Sequence, residues 1–422
     1  MHLLGLIGRH LIKRGALRIA LPDNTIESFG GGAPSVTMRI HDTATMYRLL
    51  ANPQLALGEG YMDGRITVEN GTIYDLLDVI LANAEWAIPG GPLALLNDRL
   101  RVLARRAIQF NPAPRSRANV AHHYDLSDRL YELFLDDDRQ YSCAYFLSPT
   151  DTLEQAQAQK KRHIAAKLLL SAGQKVLDVG SGWGGLGLYL STLDRIDVTG
   201  LTLSEEQHRV SNARARDAGA ADRVRFELRD YRAEQGRFDR IVSVGMFEHV
   251  GLNHYDAYFS KIASLLADDG VALVHTIGRA DGPGATNAFI QKYIFPGGYS
   301  PALQEFLPSI QRAGLYVTDV EVLRLHYAET LKHWRERFNR NKDEIRALYD
   351  ERFCRMWEFY LAGSEATFRY GGHVVFQVQL AKRVDVVPLT RDYIGAFEAA
   401  HPLPDVVAPV KSIAPISRQA AE

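Results

Sequence analysis

The apolar positions of this chain change rhythm near residue 150. From Lys175 onward, short apolar runs of strand length alternate with amphipathic stretches of helical period. The runs predict strands at 174–180, 197–203, 223–230, 239–245, 270–278, 316–324 and 373–382. Thr152 with Gln155 and Ser204 with Gln207 have capping-box spacing, which predicts helices reaching about Leu170 and Ala218. A third helix is expected over His254 to Ala267, stopped by Asp268-Asp269-Gly270, and a long polar helical stretch over Thr330 to Leu361. Alternation of buried strands with helices means a doubly wound α/β sheet. Its last strand, Val374 to Leu380, is expected to enter antiparallel as an edge addition.

The first hundred residues show a different pattern. Ala16–Ala20 and Val36–Ile40 read as strands separated by a break at Gly30-Gly31-Gly32. Asp42 or Thr43 can cap a helix through Leu50. Tyr61–Arg65 reads as a turn into Ile66–Val68, and Thr72–Ala84 as a helix with Ile73, Leu76, Leu77, Ile80 and Leu81 on one face. Leu3, Leu4, Ile7, Leu11 and Ile12 have the spacing of an amphipathic helix with a cationic side, suited to an anionic membrane surface or to packing on its own domain. Arginines at 99, 101, 105, 106, 115 and 117, followed by Pro112 and Pro114 within the run, mark a basic linker. The expected division is 1–97, an N-terminal domain; 98–118, the linker; 119–395, the catalytic domain; and 396–422, a flexible tail.

A formal net charge of -1 argues against a dedicated nucleic-acid binder, so no nucleic-acid partner is expected. Two cysteines, Cys143 and Cys354, fit a reducing compartment and their spacing offers no metal site. No apolar run approaches the roughly 18 residues of a membrane span. The basic residues follow the apolar N-terminal segment, unlike a secretory signal, so a cytoplasmic location is expected.

The chemistry is concentrated where strands end. Val176–Val179 runs straight into Gly180, Gly182, Gly184 and Gly185, with a helix expected near Leu186: a strand, a tight glycine turn and a helix N-terminus form a nucleotide-sized cradle. The glycines also satisfy the dinucleotide fingerprint. Asp178, two residues before the first glycine, favours the S-adenosylmethionine version, and the second strand ends in Thr202 where a dinucleotide site needs an acid. Ligands of such sheets bind beyond the carboxyl ends of the strands, which selects Thr202-Leu203, Asp230-Tyr231, Gly245–His249 and His275–Gly278. Glu248, His249 and His275, with Cys143 and Tyr327, are candidates for one polar cluster. Taken singly each has a structural explanation: caps for Glu248 and His249, a satisfied core histidine, a small core thiol, a packed ring.

Several motifs occur together and in order: Asn119–Asp125 (including His122 and His123), Tyr141-Ser142-Cys143-Ala144-Tyr145, Val176–Gly185, Leu201–Gln207, Met246–Gly251, His275–Gly278, Tyr293–Gly298 and Tyr327–Leu331. As a set, over about Ser35 to Asp392, they resemble the cyclopropane-fatty-acyl-phospholipid synthases of the mycolic acid cyclopropane synthase superfamily. The resemblance implies a class I S-adenosylmethionine-dependent methyltransferase fold, Rossmann-like, with a seven-stranded mostly parallel sheet and a smaller N-terminal α+β domain. It implies that Tyr141, Ser142, Asp178, Gly180, Gly182, Thr202, Leu203, Gln207, Asp230 and Tyr231 hold S-adenosylmethionine. It implies that Cys143, Glu248, His275, the Ile277 backbone and Tyr327 hold a bicarbonate ion acting as base. Unsaturated membrane phospholipids as substrate, peripheral membrane contact and a homodimer follow from the same likeness. Ser181 and Phe146 depart from the family pattern, where Cys and Trp are common. Because methyl transfer to an alkene creates a carbocation, an aromatic, water-free lining is expected, with Tyr124, Tyr145, Phe247, Tyr293 and Phe295 as candidates.

Overall fold

The computed structural model describes residues 12–83, 100–102, 104–105, 109 and 126–403. The proposed N-terminal helix, the His122-His123-Tyr124-Asp125 motif, most of the basic linker and the chain from 404 onward lie outside the described residues.

A four-stranded sheet is built from β1 (Gly15–Ala20), β2 (Ile26–Gly31), β3 (Ser35–Ile40) and β4 (Ile66–Glu69), ordered β2-β1-β3-β4. The glycine break is thus a correction: Gly30 and Gly31 finish a strand, β2, that pairs antiparallel with β1. Its exposed, polar composition hides it from a hydrophobicity reading. Three helices follow this layer: α1 (Thr43–Ala51), α2 (Pro53–Met62) and α3 (Ile73–Ala82). Asp42 caps α1 through the Thr45 amide, and Thr72 with Asp75 closes a full capping box on α3.

The larger sheet collects β5 (Lys175–Val179), β6 (Asp197–Thr202), β7 (Val224–Leu228), β8 (Phe238–Val244), β9 (Leu266–Arg279), β10 (Tyr316–Leu323) and β11 (His373–Ala381) in the order β10-β11-β9-β8-β5-β6-β7. It is the expected seven-stranded, mostly parallel, Rossmann-like sheet. β11 is antiparallel to both neighbours and lies between β9 and β10, so it is an insertion and not an outermost strand. The chain winds one way through β5, β6 and β7 and the other through β8 and β9, which puts the topological switch beside β5, where such sheets bind ligands.

Between the sheets and around the larger one run α4 (Asp128–Phe134), α5 (Leu153–Lys167), α6 (Gly185–Ser191), α7 (Glu205–Asp217), α8 (Tyr255–Leu265), α9 (Leu303–Arg312), α10 (His326–Arg340), α11 (Lys342–Leu348), α12 (Glu351–Tyr370) and α13 (Asp392–Ala400). Several boundaries differ from expectation. α8 ends at Leu265 and β9 runs straight through Asp268-Asp269-Gly270. The single helical stretch over 330–361 is three helices: Asn341 serves as C-cap of one and N-cap of the next, and Asp350 caps the third through the Phe353 amide. Residues 396–400 belong to α13, not to a flexible tail, because His163 and Arg162 on α5 bond Glu398. Thr152 and Gln155 form the expected capping box, but Gln207 does not: Ser204 accepts from the Gln207 amide, while the Gln207 side chain turns to Thr202.

One apolar core spans the small layer and the catalytic sheet. Leu57, Leu76 and Leu77 from α2 and α3 pack with Leu331, Phe359 and Leu361 from α10 and α12. Among the described residues, no helix is long and apolar enough to cross a membrane.

Candidate active site

The glycine turn after β5 is where backbone geometry and function meet. Gly180 and Gly182 have φ of 87° and 55°, a region that favours glycine. A Cβ at Gly182 would meet nothing within 4 Å, so the turn opens onto space. That space is a cleft of about 1190 Å³, counting its open mouth. The ten expected cofactor residues, Tyr141, Ser142, Asp178, Gly180, Gly182, Thr202, Leu203, Gln207, Asp230 and Tyr231, all line it. Thr202 donates to Gln207 Oε1 at 2.8 Å, so the two residues standing where an acid is usual act as one unit. The Asp230 carboxylate is clamped by Arg232, which donates to Oδ1 at 2.9 Å and to Oδ2 at 2.6 Å. Asp178 is buried at the cleft floor with Oδ2 lacking a hydrogen-bond partner, and burial raises it to about 7.

Behind the cleft lies a second, smaller chamber of about 670 Å³. Cys143, Glu248, His275, Ile277 and Tyr327 line it together. Tyr141, Ser142, Gly245 and His249 face both spaces and form the shared wall. Glu248 comes from the turn after β8. Its Oε1 accepts from the Ile277 amide at 2.6 Å, and its buried Oε2 has no hydrogen-bond partner. Burial raises Glu248 to about 7, only partly offset by the Ile277 bond. The role assigned to the Ile277 backbone is thereby refined: its N–H orients Glu248. His275, 2% exposed within β9, receives the Gln377 amide on Nδ1 at 3.1 Å, which leaves the ring proton on Nε2. Burial, then the charges of Lys160, Lys167 and His163, hold this imidazole neutral, well below its ordinary range. The Cys143 thiol donates to the Ala144 carbonyl at 3.3 Å and burial pushes it far up, so it stays protonated.

A third space of about 1180 Å³ continues from the chamber, sharing Ile277, Phe295, Tyr299 and Tyr327 with it. Leu57, Leu77 and Leu81 of the N-terminal layer and Phe359, Tyr360 and Phe368 of α12 make it apolar.

The expected aromatic lining is largely corrected. Phe295 faces the chamber. Tyr145 is stacked between His163 and His326, at 4.2 and 4.8 Å between ring centres. Phe247 is fully buried among Tyr255, Tyr258, Phe259 and Phe306. Tyr293 donates to Glu59, and Phe146 stacks on His333 and His326, away from the pocket walls. Tyr124 lies outside the described residues. Beside Phe295, Tyr141 and Tyr327, the further rings that line the chamber and channel, Tyr299, Phe359, Tyr360 and Phe368, sit in segments whose helical or loop pattern carries no sign of it.

Sequence reasoning also missed Lys160. It is 1% exposed on α5 and donates to Gln140 Oε1 at 2.6 Å and Ser142 Oγ at 2.8 Å. One turn earlier Gln157 donates to the Gln140 and Ser142 carbonyls at 3.2 and 2.9 Å. Together they clasp the 140–143 segment against α5 and fix it as a wall. Burial lowers Lys160 to about 8. The only signal was its place in the Lys160-Lys161-Arg162 run, which reads as a solvated face.

Residues 112–378 match the mycolic acid cyclopropane synthetase family, and residues 11–89 match a domain of unknown function. A probable fatty acid methyltransferase of Pseudomonas putida is 37% identical over 360 residues, covering 83% of this chain and 88% of the relative. The cyclopropane-fatty-acyl-phospholipid synthase of Escherichia coli K12 is 35% identical over 358 residues, 85% of this chain and 91% of the relative. The crystal structure of mycolic acid cyclopropane synthase CmaA1 complexed with SAH and CTAB superposes with a TM-score of 0.61 at 36% identity, covering 64% of this chain and 99% of that one.

Proposed function

The chain belongs to the mycolic acid cyclopropane synthetase family, and from that premise we propose that it moves a methylene group from S-adenosylmethionine onto the cis double bond of unsaturated acyl chains in membrane phospholipids, closing a cyclopropane ring. The family premise carries S-adenosylmethionine-dependent transfer to fatty acyl chains; the double bond, the ring and the phospholipid belong to the proposal. One observation supports it above others: the chamber holding Cys143, Glu248, His275, Ile277 and Tyr327 opens on one side to the glycine cleft and on the other to an apolar channel. A donor, a base and a hydrocarbon chain each have a place that meets the others.

The cleft fits the donor. The open turn at Gly182 admits a ligand against the backbone, and the Thr202–Gln207 pair and Asp230 present polar groups along its wall. S-adenosylmethionine supplies an electrophilic sulfonium methyl. Because an alkene has no proton to lose beforehand, the protein must hold donor and alkene close and aligned, and the shared wall of Tyr141, Ser142 and Gly245 is placed to do so. Charge then develops on the acyl chain. The rings of Phe295, Tyr299 and Tyr327 keep water away from it and offer their faces to a cation.

Ring closure needs a proton taken from the added methyl, and bicarbonate would supply that base. The chamber fits such an anion. Neutral His275 offers Nε2–H and Tyr327 a hydroxyl, Cys143, its thiol proton turned to Ala144, forms the wall beside them, and the unpartnered Glu248 Oε2 can accept the anion's own proton. A carboxyl near 7 serves that role better than one held fully ionised.

Incubation with labelled S-adenosylmethionine and vesicles of dioleoyl phospholipid tests the reading: product chains heavier by CH2, with activity falling when carbon dioxide is stripped out, are expected. The fatty acid methyltransferase relative favours a second outcome, a methyl branch: loss of a different proton leaves a chain equally heavier by CH2 but still cleaved by ozone, and its saturation by two further hydrogens needs an added hydride donor such as a reduced nicotinamide. No label in lipid would defeat both. A cytoplasmic, peripherally membrane-bound homodimer completes the proposal. Of the linker arginines, Arg101 donates to Gln54 and Arg105 pairs with Glu305 at 3.5 Å, so any lipid contact falls to other basic residues. Flotation with anionic vesicles, weakened by salt, and a two-chain mass in solution are the expected results.

A further inference from the structure

α12 is twenty residues long and carries a glycine in its interior, Gly363. Glycine there is unfavourable relative to alanine, because its backbone loses the most freedom when a helix orders it. No turn, cap or left-handed backbone calls for it. The helix face toward the apolar channel reads Phe359, Tyr360, Gly363, Ser364, Thr367 and Phe368, so a run of small side chains lies between bulky rings. A Cβ at Gly363 would meet a single atom within 4 Å, Leu77 Cδ1 at 3.8 Å. Leu77 belongs to α3 of the N-terminal layer, is 2% exposed, and lines the same channel with Leu81 one turn on. Two elements far apart in sequence therefore meet on one stretch of channel wall, and the space beside that contact is left open by a missing side chain.

We propose that Gly363, beside Leu77 on the channel wall, sets which acyl chains the protein accepts, by leaving unfilled the part of the bore that holds the arm of the chain beyond the reacting double bond. The inference rests on the proposed function and adds its specificity determinant. A mid-chain reaction fixes one carbon pair in the chamber, so the hydrocarbon on the channel side must extend past this point. The length of that arm, not the length of the whole chain, is what the wall at Gly363 reads. The small N-terminal layer is by this reading a wall of the substrate site and not a detachable accessory.

The test uses the full chain and phospholipid vesicles whose acyl chains have one length and a double bond moved stepwise along them. In Gly363→Leu, kcat/KM is expected to fall at least tenfold for isomers with a long arm on the channel side and to change less than threefold for those with a short one. S-adenosylmethionine affinity should stay within twofold. Adding Leu77→Ala should return at least half of the lost activity, which a helix damaged for other reasons would not do. Gly363→Ala adds one carbon at ordinary contact distance and is the variant sure to fold; its preference should shift the same way by about two- to threefold. An unchanged isomer profile in both variants, or a uniform loss that Leu77→Ala leaves in place, would overturn the proposal. Absence of turnover by the unsubstituted protein on every isomer would instead remove the proposed function, and this inference with it.

Discussion

α5 touches two buried clusters of ionisable groups that differ in one respect. At the sheet edge, His163 gives both ring nitrogens to carboxylates, Glu398 and Glu321, each at 2.8 Å. Lys167 bonds Glu321 and lies 3.7 Å from Asp319, and Arg391 approaches both acids. Every charge there has a partner of opposite sign. In the chamber, by contrast, one Glu248 oxygen and the Gln377 Oε1 have no partner, and His275 meets its neighbour through Nδ1 alone. Evolution tolerates a buried, incompletely bonded polar group where a ligand completes it. The first cluster clamps α13 to the domain; the second is shaped to receive something.

The comparison breaks most visibly through Glu248→Gln. It should cut turnover by about 10²- to 10⁴-fold, the usual worth of a positioned acid–base group, with cofactor binding measured by dialysis retained. Full turnover would erase the distinction between the clusters. The same variant sharpens it through stability. The folded Glu248 titrates near 7 against an ordinary 4.5, so its burial weakens the fold as pH rises through that window. Glu248→Gln should therefore match the parent at pH 4 and exceed it by about 3 kcal/mol at pH 8 in urea unfolding.

Glu321→Gln should do the reverse. It leaves His163 and Lys167 short of a counter-charge and should cost about 2–3 kcal/mol, discounted for partial exposure, while turnover per folded molecule is unchanged. His163 follows its own sign: burial pulls it down, but the bonds to Glu321 and Glu398 raise it above its ordinary value. Its contribution is whole below about pH 6.5 and lost as pH rises through the folded value, so hydrogen exchange in α13 should quicken on the alkaline side. The smallest effect is Lys160→Met, which removes the donor to Ser142 and Gln140 and should weaken S-adenosylmethionine binding about tenfold, roughly 1.5 kcal/mol.

What could be read beforehand was what is local. The glycine cradle, the alternation of strands and the Thr152–Gln155 box depend on neighbours within a few residues, and all stand as expected. What escaped depends on what packs opposite. Ser204-x-x-Gln207 fits a capping box, yet Thr202 outcompetes the backbone for the Gln207 side chain. Tyr145, Phe247 and Tyr293 have the same composition as a pocket wall but face a histidine stack, a core and a surface acid. Lys160 belongs to a basic run, Lys160-Lys161-Arg162, that reads as solvated until Gln140 and Ser142 fold over it. The chamber residues were found by their likeness to a family motif set; their meeting in one space was not deducible from spacing alone.

The insertion of β11 between β9 and β10 has a consequence for synthesis. Both neighbours emerge from the ribosome long before it does, and until residue 373 is made each has a bare edge ready to pair with another chain. Gln377, which holds the His275 tautomer, arrives on that same late strand. The nascent protein thus cannot complete the chamber before its sheet is sealed, and a chain released before residue 373 would be a sticky, inert fragment in place of a half-working enzyme.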